Sequence, residues 1–262
     1  MLVFSAIVPH SPMLIPVIGK DNTKKLKKTI SAFDILEADL NEADPDTIIV
    51  ISPHGEINFE AFTVNTNEKF TAHFNDFGDF STKLEFKSDL NLTMQLKRDY
   101  ESTMPIQLVS TENLDHGISV PLHYLTRQNK DRRIVPINYS YLSFEKHVEF
   151  GKLIKEAIFS TDKKYAIIAS GDLSHRLNRN SPEGFSPRAK EFDKKLIQLL
   201  KKKNVDNVLN MDKELIKEAS ECGLRSILVL LGAVANMNYE FEVLSYEAPF
   251  GVGYLVGEMR FK

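Results

Sequence analysis

Three of the seven histidines in this 262-residue chain share one local setting. His10 stands in Pro9-His10-Ser11-Pro12 after the apolar run Leu2 to Val8, and His54 in Ser52-Pro53-His54-Gly55 after Thr47 to Ile51. His175 ends Ser170-Gly171-Asp172-Leu173-Ser174-His175 after Tyr165 to Ala169. Neutral imidazole is the commonest metal ligand, and two at neighbouring strand ends make half of a mononuclear site. Two imidazoles alone hold an ion weakly, so the pattern asks for an anionic third ligand. Two histidines with one carboxylate on one face is the arrangement of iron(II) oxygenases.

Three residues are candidates for that ligand: Glu221 and Cys222, side by side where an apolar helix begins, and Glu247 in the turn after a strand. A helix start favours a carboxylate and lowers a thiol pKa. The competing readings are a helix N-terminal charge for Glu221 and a small buried side chain for Cys222. His116 in Leu114-Asp115-His116-Gly117 and the pair Asp172/His175 look different. An aspartate three residues before a histidine can orient the imidazole for acid/base work. Ser174 lacks the flanking glycines of a nucleophile turn. Gly251-Val252-Gly253 falls short of a phosphate loop and reads as packing or a bend. His73 reads as a surface histidine.

The three runs are rich in β-branched residues and are cut off by turn chemistry, the composition of strands buried on both faces. In an open α/β sheet, ligands bind beyond the carboxyl ends of such strands. Helical spacing covers Asp21 to Ala43, Asp89 to Tyr100, Ile118 to Leu125, Phe144 to Ile158, Ala189 to Lys202, Lys213 to Ala219 and the apolar end of Ser220 to Ala233. Further strands are expected at Ile106 to Val109, Ile134 to Ile137, Phe241 to Tyr246 and Gly253 to Met259. A β-rich insert has strands at Ala61 to Asn65 and Thr82 to Phe86, with Phe70 to Phe80 as a loop over one end of the sheet. The polar loop Asn178 to Pro187 is long enough to cover a crevice. With no repeat, low-complexity tract or linker, residues 1–262 read as one α/β domain: a mixed, mostly parallel sheet with helices on both faces.

A net charge of −3 and a pI of about 6.2 argue against a nucleic-acid or anionic-membrane surface. The lysine clusters Lys24 to Lys28 and Lys194 to Lys203 lie on amphipathic helical patterns and read as solvated faces. A single cysteine excludes an internal disulfide and suits a reducing compartment. No apolar run approaches the ~20 residues of a membrane span. The apolar start, Met1 to Gly19, lacks a basic leader and is broken by prolines, so a cytoplasmic protein is expected.

Taken together, Pro9-His10, Ser52-Pro53-His54-Gly55, Asp115-His116-Gly117, Gly171-Asp-Leu-Ser-His175, Glu221-Cys-Gly-Leu-Arg225 and Tyr246-Glu-Ala-Pro-Phe-Gly-Val-Gly-Tyr254 resemble the class III extradiol ring-cleavage dioxygenases, relatives of the protocatechuate 4,5-dioxygenase beta subunit. The resemblance is strongest to the branch beside the Memo proteins, often joined to an AMMECR-type domain. It implies His10 and His54 as metal ligands, His175 as the acid/base histidine and His116 as a second active-site histidine. For the third ligand, dioxygenases use a glutamate and Memo-type proteins a cysteine in a Cys-Gly-Arg context; Glu221-Cys222-Gly223 offers both. The implied cofactor is iron(II), with zinc as the alternative ion. The implied partners are a small aromatic substrate and O₂, an AMMECR-type domain, and further copies of the chain. A non-catalytic metal-binding module acting through a protein partner is the rival expectation.

Overall fold

The period-two alternation of the buried strands decides how the layers form. Ile48 and Val50 face one hydrophobic core, and Ile49 and Ile51 face the other. A strand buried on both sides belongs at the centre of a sheet that is covered twice. In the computed structural model, which describes residues 1–262, the strands are β1 Leu2–Val8, β2 Thr47–Ser52, β3 Phe62–Asn65, β4 Lys69–Phe74, β5 Asp79–Lys87, β6 Ile106–Val109, β7 Arg133–Asn138, β8 Tyr165–Ser170, β9 Tyr239–Glu247 and β10 Tyr254–Phe261. The α-helices are α1 Pro16–Gly19, α2 Lys27–Ala43, α3 Leu90–Tyr100, α4 His116–Leu125, α5 Phe144–Phe159, α6 Ala189–Lys201, α7 Val205–Leu209, α8 Lys213–Ala219 and α9 Leu224–Ala233.

Eight strands form one sheet in the order β6-β3-β7-β2-β8-β1-β10-β9. Its centre, β7-β2-β8-β1, is parallel throughout, while β10 and β9 add antiparallel at one edge and β3 pairs antiparallel with β7 near the other. The mixed α/β sheet expected from the sequence is thus the observed one. Residues of α3, α5, α6 and α9 join the core on one face, and those of α2 and α4 the core on the other. Because β2, β8 and β1 are parallel neighbours, their carboxyl ends share one edge. No helix is long and apolar enough to cross a membrane.

Three local expectations are corrected, and one short helix is added. Phe70 to Phe80 is not all loop: Lys69–Phe74 is β4, paired antiparallel with β5 in a separate two-stranded sheet. Phe70, Ala72 and Phe74 alternate into the core, a period-two signal masked by the Asp and Gly of the hairpin tip. His73 on that strand is half-buried rather than exposed. The first helix is α-helical only from Lys27; Lys20–Leu26 forms 3₁₀ turns, where Asp21, Asn22 and Thr23 offer side-chain competition for backbone groups. Finally, α7 is a five-residue helix that no sequence pattern announced; Asn204 caps it by accepting from the Asn207 N–H at 3.0 Å.

Candidate metal centre

Each histidine reaches the shared edge by a different stop. Pro9 ends β1, Pro53 ends β2, and after β8 the chain turns at Gly171. A Cβ on Gly171 would lie 2.1 Å from the Cα of Gly223, so β8 and the segment preceding α9 meet backbone to backbone. There the Cys222 N–H donates to the Asp172 carbonyl at 3.3 Å and the Asp172 N–H donates to Cys222 Sγ at 3.3 Å. This contact fixes the cysteine beside the histidines.

His10 Nε2 and His54 Nε2 stand 3.0 Å apart, and Cys222 Sγ is 3.6 Å from His10 Nε2. The ligand atoms of these three residues all lie within 4.8 Å of one another. A tetrahedral ion with typical bonds would hold two nitrogens about 3.3 Å apart and a nitrogen and a sulfur about 3.6 Å apart. The His10–His54 and His10–Cys222 separations are close to these values, and all three donors lie within 4.8 Å of one another, a grouping that could hold a metal ion.

Glu221, the neighbouring candidate, turns away from this group. Its Oε2 accepts from the Leu224 N–H at 2.5 Å, capping the first turn of α9, and burial pushes its carboxyl up to about 7. Glu247 lies elsewhere: its Oε1 accepts from the Thr29 N–H and hydroxyl at 2.8 and 2.7 Å, tying β9 to α2.

The surrounding shell sets which nitrogen each ring offers. Ser170 Oγ donates to the Gly117 carbonyl and so accepts from His10 Nδ1, 3.0 Å away, leaving the His10 Nε2 lone pair free. Asp172 Oδ1 accepts from the His10 N–H at 3.0 Å, and burial raises that carboxyl to about 7. At His54 the backbone is held twice: its N–H donates to Ser52 Oγ at 3.1 Å, and Asn138 Nδ2 donates to its carbonyl. Asp115 accepts from the Ser52 hydroxyl at 2.7 Å and from the Ile118 N–H at 3.2 Å, so the cap of α4 also braces β2. Removing an outer partner of this kind typically costs 10–100-fold in metal affinity. We expect Ser170→Ala to weaken metal binding by about that factor, read by competition with a chromophoric chelator.

Burial lowers the pKa of all four site histidines, His10 furthest and His54 to about 4, so the rings are neutral at neutral pH. Burial pushes the Cys222 thiol up, with the Asp172 and Glu221 carboxyls acting in the same direction. An ion binding a neutral imidazole displaces no proton, whereas one binding a protonated thiol displaces one. Metal affinity should therefore rise with pH, about tenfold per unit between pH 6 and 8, with one proton released per ion. Potentiometric titration of metal uptake checks the slope.

His116 opens α4 and stacks on His54, ring centroids 4.1 Å apart; Phe77, at the tip of the β4–β5 hairpin, meets it edge-on at 5.2 Å. His175 faces the same space, but Asp172 does not orient its ring as the sequence spacing suggested. The Asp172 carboxylate bonds to the His10 backbone instead, and His175 Nδ1 is buried without a partner. The four imidazoles line a cavity of about 490 Å³ whose farther wall includes Met13, Phe250, Val252 and Tyr254. Asn180 and Pro182 of the Asn178 to Pro187 loop also line it, and Ser181 Oγ pins this loop to β9–β10 by donating to the Gly251 carbonyl at 2.9 Å. Sequence reasoning overlooked Ser170, Ser52 and Asn138. The signal that could have found them is a polar side chain closing an otherwise apolar buried strand.

Comparison with known proteins gives the chain its family. Protein CA_C1420 of Clostridium acetobutylicum is 34% identical over 264 residues; these cover 97% of this chain but only 56% of that protein, so this chain spans little more than half its length. The Escherichia coli 3,4-dihydroxyphenylacetate 2,3-dioxygenase is 24% identical over 95% of this chain and 96% of its own. A MEMO1 family protein of Methanosarcina mazei is 32% identical over 45% of this chain and 42% of its own. The family described as "Catalytic LigB subunit of aromatic ring-opening dioxygenase" matches residues 5–257, and with nearly every residue inside that match the chain belongs to the LigB family of the class III extradiol dioxygenase superfamily.

Proposed function

We propose that this chain is a metal-dependent enzyme that opens a catechol-like ring next to its two hydroxyls, with His10, His54 and Cys222 holding the ion. The observation that carries this reading is the convergence of four imidazoles, from four separate elements, on one cavity of about 490 Å³. When bound, iron(II) would supply Lewis acidity toward a ring hydroxyl and a redox partner for O₂. The remaining work falls to the protein. His175, neutral and with Nδ1 unpartnered, would accept the hydroxyl proton and later return it. His116 would sit against the substrate ring, held by its stack on His54. Asp172 would act as a positioning residue, fixing the His10 backbone rather than moving a proton. Met13, Phe250 and Val252 would exclude water around the reacting atoms.

One observation favours a second reading. A His-His-Cys donor set is softer than the two-histidine, one-carboxylate set of iron oxygenases, and thiolate suits zinc or copper(I) as well. On that reading the chain is a metal-binding, redox-responsive module acting through a protein partner, in line with its similarity to a MEMO1 family protein. An AMMECR-type domain and further copies of the chain are the partners to try by native mass measurement.

Anaerobic reconstitution with iron(II), addition of a catechol panel and then admission of O₂ separates the two. Yellow ring-opened product with matching O₂ uptake supports the enzyme; tight metal binding with neither supports the module. The ligand assignment is read in parallel. Cys222→Ser should lose at least tenfold in metal affinity while Glu221→Gln stays within about threefold, since only the cysteine replacement touches a donor. The opposite ranking would move the ion to the carboxylate.

A further inference from the structure

We propose that the pocket selects an uncharged aromatic diol over a carboxylate-bearing one, with the ring substituent lying against Phe250 and Val252. The inference deepens the ring-opening reading and rests on it. Beyond the imidazoles, the apolar lining is Pro12, Met13, Pro182, Phe250 and Val252, and the polar lining is Ser11, Asp172, Asn180 and Tyr254. No lysine or arginine is among the lining residues.

The polar groups are also largely committed. The Tyr254 hydroxyl and Ser11 Oγ are 3.3 Å apart, and Asp172 Oδ1 takes the His10 N–H. Asn180, at the exposed rim, can offer a neutral hydrogen bond only. Three cations stand nearby without lining the cavity, one of them the exposed Arg179 next to Asn180. Arg176 Nε donates to the Glu183 carbonyl at 2.8 Å, and Lys25 Nζ lies over the Phe250 ring, 5.6 Å from its centroid.

A diol bound with both oxygens toward His10, His54 and Cys222 must send its substituent to the opposite wall. There a carboxylate would lose water and find no cation among the lining residues to replace it, whereas burial of an uncharged alkyl group is favourable. Recognition of a carboxylate characteristically uses an arginine fork, and this wall has none.

The test measures binding, not turnover. Anaerobic calorimetric titration of the zinc(II)-loaded chain compares 4-methylcatechol with 3,4-dihydroxyphenylacetate. The neutral diol is expected to bind at least tenfold tighter. Phe250→Lys, at a half-exposed position, should shift the ratio at least tenfold toward the acid, and Asn180→Arg at the rim gives a second reading should the first variant fold poorly. Equal or reversed affinities in the unmodified chain overturn the selectivity while leaving ring opening standing. A ratio unmoved in a folded Phe250→Lys overturns the placement of the substituent. If neither diol binds, the ring-opening reading fails and takes this inference with it.

Discussion

Replacing His54 with alanine is expected to lower metal affinity by well over a hundredfold, and His10→Ala should do the same. The magnitude follows from the geometry of the three donors. Loss of an outer-shell partner alone costs about 10–100-fold, and an inner ligand contributes more than the residue that orients it. His54 Nε2 and His10 Nε2 are 3.0 Å apart, close enough for one ion to be bound by both. The fold should survive both changes in the metal-free protein. Burial keeps these rings uncharged, and their removal leaves no buried ion without a partner. Metal analysis after gel filtration, with circular dichroism as the folding check, reads the result. Full occupancy in either variant would move the centre away from these two residues.

Gly171→Ala should be among the most damaging single-methyl additions in the protein. The added Cβ would stand 2.1 Å from Gly223 Cα and 3.0 Å from its nitrogen, and neither is the end of a flexible side chain that can swing aside. Overpacking of this kind costs about 3 kcal/mol or more, because two backbone segments must separate. For a chain of this length such a loss lowers Tm by roughly 6–12 °C. Separating the segments also breaks the paired contact between Asp172 and Cys222, so metal affinity should fall together with stability. Gly184→Ala is the control: its φ is +81°, but a Cβ there meets nothing within 4 Å, so only backbone strain of about 1–2 kcal/mol is expected. Calorimetric melting of both variants, with and without metal, checks the difference. Equal melting temperatures would mean that the strand and the helix start are not locked to one another.

The parts of this protein legible in its sequence were those written in local periodicity. Ile48 to Ile51 carry the two-sided burial of a central strand in four consecutive letters, and Pro53-His54-Gly55 marks where it stops. That was enough to place histidines at strand ends and to expect a sheet with helices on both faces. Where two signals overlapped, local reading went astray. Phe70, Ala72 and Phe74 alternate as a strand should, but the turn residues Asn75 to Asp79 outweighed them. The choice between Glu221 and Cys222 depends on a fact no short window contains. Where the chain passes over β8, it is the cysteine whose sulfur lies over Asp172, while the carboxylate folds back to cap α9. Asp172 illustrates the same limit. Its spacing from His175 suggested a pair, but the neighbour that claims its carboxylate is the backbone of His10, 162 residues away in the chain.

The place of β1 within the sheet bears on when the centre can exist at all. This strand is flanked by β8 and β10, elements that lie much later in the sequence, and its Ala6 is paired with Glu258. Until those neighbours arrive, its two edges have nothing to bond, and long-range pairing of this sort is intrinsically slow. The proposed donors His10, His54 and Cys222 are therefore brought together only by pairing between segments far apart in the chain, and until that pairing forms β1 presents open apolar edges to other chains.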